Sequence, residues 1–127
     1  MFDTALAELR AGAKQSHWMW FIFPQLAGLG RSPTAQYSAI RSLDEARAYL
    51  EHPLLGPRLR QCVEALLPHA GKHSAEAILG PIDALKLRSS LTLFDHVAPE
   101  DVFARALAGF FDGEPDARTL ALIGRAR

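Results

Sequence analysis

Residues 42–67 read SLDEARAYLEHPLLGPRLRQCVEALL, and their reading decides the fold class. Ser42-Leu-Asp-Glu45 is a capping box, in which a serine hydroxyl and a glutamate three residues later satisfy the free N–H groups of a new helix. Leu43, Ala46 and Leu50 then fall on one face of a helix running to about Glu51. His52-Pro53 breaks it, because proline disfavours helix at the residue before it. A second helix runs from about Leu54 or Pro57 to Leu67. Its apolar stripe is Leu55, Leu59, Val63 and Leu66, spaced at the helical period.

The same grammar extends both ways. A first helix is predicted over residues 3–11, with Asp3 as its cap and Gly12 as its stop. Ser32-Pro33 marks another start, since proline at the first helical position gives up no hydrogen bond, and that helix reaches about Ala39. Residues 74–79 form a short helix capped by Ser74 and closed by Gly80-Pro81. The next spans residues 83–97, with Leu87, Leu91 and Phe94 on one side and Leu85 adjacent. Pro99-Glu-Asp opens a further helix with acids where the dipole favours them. Val102, Phe103, Leu107, Phe110 and Phe111 are its apolar face, and Gly113 ends it. Asp116 caps a last helix ending at Gly124. No alternating strand pattern is visible. The prediction is an all-α domain over residues 1–127, an orthogonal bundle of about seven or eight short helices.

Composition limits the function classes. The 127 residues carry 14 basic and 14 acidic groups, a formal net charge of zero. Residues 1–63 total +2 and residues 64–127 total −2. A nucleic-acid binder shows a basic excess or stripe, and none is expected here. The longest apolar run, residues 18–23, is far short of the roughly 20 residues of a membrane-spanning helix, and no membrane partner is expected. The single cysteine, Cys62, cannot form an internal disulfide. With no secretory-type start, the expected compartment is the cytoplasm.

The most unusual stretch is residues 16–25, Ser-His-Trp-Met-Trp-Phe-Ile-Phe-Pro-Gln. It has neither a twofold nor a 3.6-residue period, so it reads as a short buried helix or a buried extended segment. Aromatic side chains bury large areas and dominate small cores, which accounts for Trp18, Phe21 and Phe23. Two tryptophans beside a histidine also suit a ligand wall. On that reading Ser16, Trp18, Trp20 and Gln25 contact ligand, and His17 is a candidate acid–base group. The second candidate stretch is residues 86–92. On a helix, Lys86 faces Ser89 and Ser90. Lys86, Arg88, Ser89 and Ser90 could hold a phosphate or carboxylate, while close helix packing is the structural alternative. A Ser–Lys nucleophile pair is the sharpest form of the idea.

The remaining polar residues carry less. His52 sits between two helices, where it can cap carbonyls or serve as a second acid–base candidate. His69 and His73 are four apart, but Pro68 and Gly71 place them in a loop with no further ligands, so no metal is expected. No glycine-rich phosphate loop or other cofactor motif is present, and no cofactor is expected. Residues 28–32 precede a helix start and could meet an anion there. Cys62 lies on an apolar helix face, where burial makes it inert.

Four stretches resemble the bacterial domain-of-unknown-function family 1810: SHWMWFIFPQLAGLGRS (16–32), AIRSLDEARAYLEHPLLGPRLRQC (39–62), ILGPIDALKLRSSLTLF (78–94) and FFDGEPDARTL (110–120). The resemblance implies a compact all-α domain and no assigned activity. It also implies an Asp- and Phe-containing segment ahead of the first helix, whereas this sequence starts almost directly at that helix. The label "calpastatin" sometimes attached to the family has no physical support, since such an inhibitor is disordered and polar. The functional expectation is a pocket formed by residues 16–25 and the helix over 86–92. It would take a phosphorylated or nucleotide-like metabolite, for binding or for metal-independent hydrolytic or glycosyl chemistry. The alternative is a non-catalytic interaction module with a hydrophobic groove.

Overall fold

The structure, a computed structural model, describes residues 1–29 and 33–126. Its described residues form nine α-helical segments joined by short turns: α1 Phe2–Ala11, α2 Met19–Ile22, α3 Pro33–Ser38, α4 Leu43–Glu51, α5 Leu55–Leu66, α6 Ala75–Leu79, α7 Pro81–Val97, α8 Val102–Phe111 and α9 Ala117–Ala126. A single 3₁₀ turn, Leu67–His69, extends α5. The fold is all-α. Its one β-type pairing among the described residues is an isolated parallel bridge, Leu26 with Ile40.

The longest helix, α7, organises the rest. It has 17 residues, and the run from Ser89 to Phe94 is buried throughout. It packs against α4, α6, α8 and α9, while α1 and α8 close on α5. Phe94 meets Phe103 of α8 with ring centroids 5.7 Å apart and Tyr49 of α4 at 5.6 Å, both tilted, the arrangement that ring quadrupoles favour. Trp18, Phe23, Leu66, Leu87 and Leu91 complete the most deeply buried part of the core.

Most helix signals act where the sequence places them. The Ser42 hydroxyl accepts the Glu45 N–H at 3.0 Å, and Glu45 in return accepts the Arg41 N–H at 2.9 Å. Ser74 accepts the Ala77 N–H, and Asp116 accepts the N–H and hydroxyl of Thr119. Gly12 ends α1 in the left-handed conformation at φ 75°. The start at Ser32 lies outside the described residues, as does part of the loop over 28–32, a candidate to meet an anion.

Five readings need correction. Asp3 lies inside the first turn of α1, whose cap is Met1. Helix α7 starts two residues early, because Pro81 needs no N–H partner at a first helical position. Helix α8 starts late: Glu100 has a left-handed φ of 64°, so the chain turns there, and Asp101 caps Val102. Helix α9 continues to Ala126. Leu55 belongs to the periodic stripe of α5 yet is exposed, at the rim of an open depression that it shares with Phe2 and Phe21.

Candidate functional site

The aromatic run folds as one helical turn, α2, flanked by bent chain. Its anchor is Glu8 of α1. The Glu8 carboxylate accepts the N–H of Gln15 at 2.7 Å, the N–H and hydroxyl of Ser16 at 2.9 and 2.7 Å, and the indole N–H of Trp18 at 3.0 Å. The Gln15 N–H, then the Ser16 groups, and last the Trp18 indole outweigh partial burial and lower the Glu8 pKa to about 2. The chain between α1 and α2 is thereby stapled to a carboxylate that is charged at neutral pH. Trp18 is only 2% exposed and packs on Phe23 with centroids 6.2 Å apart.

Beside this staple, α2 faces the first turns of α7 across a cavity of about 400 Å³. Lys14, His17, Trp18, Trp20, Asp83 and Lys86 are among its walls. Asp83 takes two ammonium groups, Lys14 at 2.9 Å and Lys86 at 3.1 Å. The Lys14 backbone is itself fixed, its N–H donating to the Ile78 carbonyl at 2.8 Å. Each ammonium also lies against an indole: Lys86 is 4.3 Å from the Trp20 ring centroid and Lys14 is 5.3 Å from that of Trp18, within cation–π range. Burial pushes the Asp83 carboxyl up. The hydrogen bonds and charges of Lys14 and Lys86 overcome that and hold it below its ordinary value. Lys14, Lys86 and Asp83 together carry one positive charge in excess, with the negative Glu8 carboxylate next to them on the Trp18 indole. A lysine ammonium has three N–H donors, so each retains donors beyond its bond to Asp83.

A second cavity of about 440 Å³ lies on the other flank of the Trp20–Lys86 pair. Gln25, Leu29, Ile82, Leu85, Ser89 and Arg118 contribute to its walls. Gln25 is 5% exposed, and its side-chain Nε2 has no hydrogen-bond partner. Its main chain is engaged, the carbonyl accepting the Ile40 N–H at 2.8 Å.

The predicted site residues are thus divided. Trp18, Trp20 and Lys86 line the first cavity, with His17 exposed there. Trp20, Gln25, Lys86 and Ser89 line the second. Ser16 spends its hydroxyl on Glu8. Arg88 is turned to the α8–α9 connection, where its Nε donates to the Glu114 carbonyl at 2.9 Å and its guanidinium lies 5.7 Å from Phe111. Ser90 is buried in the core, and the Ser89 hydroxyl donates back to the Leu85 carbonyl. His52 lies at neither cavity. Its Nδ1 accepts the N–H groups of Leu54 and Leu55, so it caps the start of α5 rather than the carbonyls ending α4. The His69 ring bonds the Leu9 and Arg10 carbonyls at the end of α1. Glu8, Lys14 and Asp83 were missing from the sequence reading. Only Asp83 left a local signal, its i,i+3 spacing from Lys86.

Elsewhere, an apolar depression of about 150 Å³ lies between α1, α2 and α5, bordered by Phe2, Phe21, Tyr49, Leu55 and Cys62. Burial drives the Cys62 thiol up to about 12 despite Arg10 and Arg58 nearby. Among the described residues no helix is long and apolar enough to cross a membrane, and no cluster of three metal-ligating side chains occurs.

An all-helical domain centred on one long helix, with paired lysines held against paired indoles, is the class that fold and site define. Residues 1–123 match the family model described as "Protein of unknown function (DUF1810)", and the chain belongs to that family. It is similar to a solved structure, that of the conserved hypothetical protein Rv1873 from Mycobacterium tuberculosis. The two are 48% identical with a TM-score of 0.93, over 97% of this chain and 88% of the other. None of the curated proteins matches.

Proposed function

We propose that the cleft between α2 and α7 binds a small anionic metabolite, phosphorylated or carboxylated, that also presents a flat or apolar face. The observation that carries this reading is the placement of Lys14 and Lys86. Both ammoniums share one carboxylate and lie against indole rings in an open cavity. An ion pair made only for stability gains little where water still reaches it. Two lysines converging on one aspartate leave positive charge and free donors directed at the cleft. The volume falls within the range of small-ligand sites. The reading is of binding. His52 is committed to its helix cap, and Asp83, the carboxylate of the cavity, is paired with Lys14 and Lys86 rather than with His17.

A thermal-shift screen with nucleotides, sugar phosphates and dicarboxylates tests this, run in parallel on a Lys86→Met variant. A ligand at 100 times its dissociation constant adds about 2.7 kcal/mol of stability. The expected outcome is a hit among the anions that the variant loses. A second reading, docking of a protein partner, rests on Phe21, which is 45% exposed beside Leu55 and Met1 at the apolar depression. An empty screen with well-folded protein contradicts the anion reading and favours that groove.

A further inference from the structure

The cavity beyond Trp20 differs in chemistry from the lysine cleft. Leu29, Ile82 and Leu85 give it apolar walls. Ile82 and Leu85 are 70% and 62% exposed although they occupy adjacent turns of the central helix. Large apolar side chains left open together mark a surface that meets something else. The cavity also holds an unmade bond. A buried amide donor without a partner costs about 1–3 kcal/mol, and such groups in native proteins call for a reason. Gln25 Nε2 is one; the residue borders this cavity and also a smaller one of about 220 Å³ that it shares with Trp20, Gln36 and Arg41. Its main chain is held by the hydrogen bond from the Ile40 N–H, while its side-chain N–H groups are unengaged. The terminal torsion of glutamine is broad, so rotating the amide toward an incoming acceptor costs little.

Trp20 and Lys86 border both cavities. We infer that the second cavity is a subsite for a flat heteroaromatic ring bearing a hydrogen-bond acceptor, joined in the same ligand to the anionic group held by Lys14 and Lys86. The ring lies between Trp20 and the Leu29–Leu85 wall, its acceptor takes the Gln25 amide N–H, and the link to the anion passes over the Trp20–Lys86 pair. The ligand class is therefore nucleotide-like. This inference rests on the anion reading for one half of the ligand and on Gln25 for the other.

Calorimetric titrations with ribose 5-phosphate, adenosine, AMP, GMP and UMP separate the halves. They use the wild-type chain, Gln25→Leu and Leu85→Ser, the last at a position 62% exposed, with melting curves checking that each variant folds. At least one mononucleotide is expected to bind about tenfold or more tighter than ribose 5-phosphate, the scale of one ring stacked on an aromatic side chain. That ratio collapses in both variants. The melting temperature of Gln25→Leu stays the same or rises, because the orphaned donor is gone; a purely structural glutamine would lower it. Mononucleotides binding no tighter than ribose 5-phosphate, or a ratio untouched by Gln25→Leu, overturns the inference. Adenosine binding that depends on Gln25, with no binding of ribose 5-phosphate, supports the ring subsite and contradicts the anion reading. Absence of all binding overturns both.

Discussion

The ammonium of Lys86 lies 4.3 Å from the centroid of the Trp20 ring. The same ammonium is paired to Asp83 one helical turn earlier. Partly exposed cation–π contacts contribute about 0.5–1 kcal/mol. Lys86→Met keeps the aliphatic cover of the indole, so its melting temperature is expected within a few degrees of wild type. Its affinity for anionic ligands is expected to fall about tenfold or more, as for loss of one charge-assisted hydrogen bond. Calorimetry alongside thermal melting checks both halves. Equal affinity in the variant contradicts the role given to Lys86.

The two tryptophans are expected to separate core from wall. Trp18→Ala removes a side chain that is 2% exposed and should cost about 3–5 kcal/mol. Trp20→Ala, at a half-buried position, should cost well under half as much while abolishing ligand-induced stabilisation. Urea denaturation curves decide it. Equal losses would make both indoles core.

Glu8 provides a pH prediction. Its folded pKa of about 2 lies below the ordinary 4.5. A depressed carboxylate contributes stability that is fully present above pH 4.5 and is lost as pH falls toward 2. Asp83 acts in the same direction. Glu8→Gln is expected to melt at a lower temperature at pH 7, and its melting temperature should fall less between pH 5 and pH 2 than that of wild type. Parallel melting curves across that window show whether the staple is electrostatic.

Gly56 sits in the first turn of α5 against the end of α4. A methyl group there would run into the Leu50 backbone carbonyl. Backbone cannot yield as a side chain does, so Gly56→Ala should cost about 1–3 kcal/mol or more, despite alanine's better helix propensity. Chemical denaturation of the variant provides the measurement, and unchanged stability would mean that α4 and α5 pack less closely than described.

Cys62 is fully buried, with its thiol pushed up to about 12. Thiolate is the reactive form. Native protein is expected to resist iodoacetamide at pH 8 and to be alkylated stoichiometrically in urea. Mass spectrometry distinguishes the two, and rapid labelling of native protein would show that the apolar depression opens to Cys62.

The helices were legible because their signals are local. Ser42 and Glu45, Ser74, Asp116 and Gly12 act within a turn of where they stand. Starts governed by a proline or a left-handed residue, at Pro81 and Glu100, were misread because two rules compete within a few positions. Of the site, Trp18 and Trp20 were visible as an unusual aromatic run, and Lys86 as part of a separate polar stretch on the later helix. Glu8 and Lys14 were not, because their partners come from elsewhere in the chain: Trp18 ten residues on for Glu8, and Asp83 across the fold for Lys14. Arg88 and Ser90 looked equivalent to Lys86 in sequence. Helical rotation separates them, sending Arg88 to Glu114 and Ser90 into the core.

The chain has only two tryptophans, so its NMR spectrum holds only two indole N–H signals, both at the cleft. Titrating ribose 5-phosphate into labelled protein, with Trp20→Phe to assign the signals, tests the anion site most directly. The Trp20 signal is expected to shift saturably, the Trp18 signal, bonded to Glu8, to move less, and Lys86→Met to need about tenfold or more ligand for the same shift. Saturable shifts confined to backbone signals around Phe21 and Leu55, or indole shifts that saturate at the same ligand concentration in Lys86→Met, would contradict the cleft as the anion site.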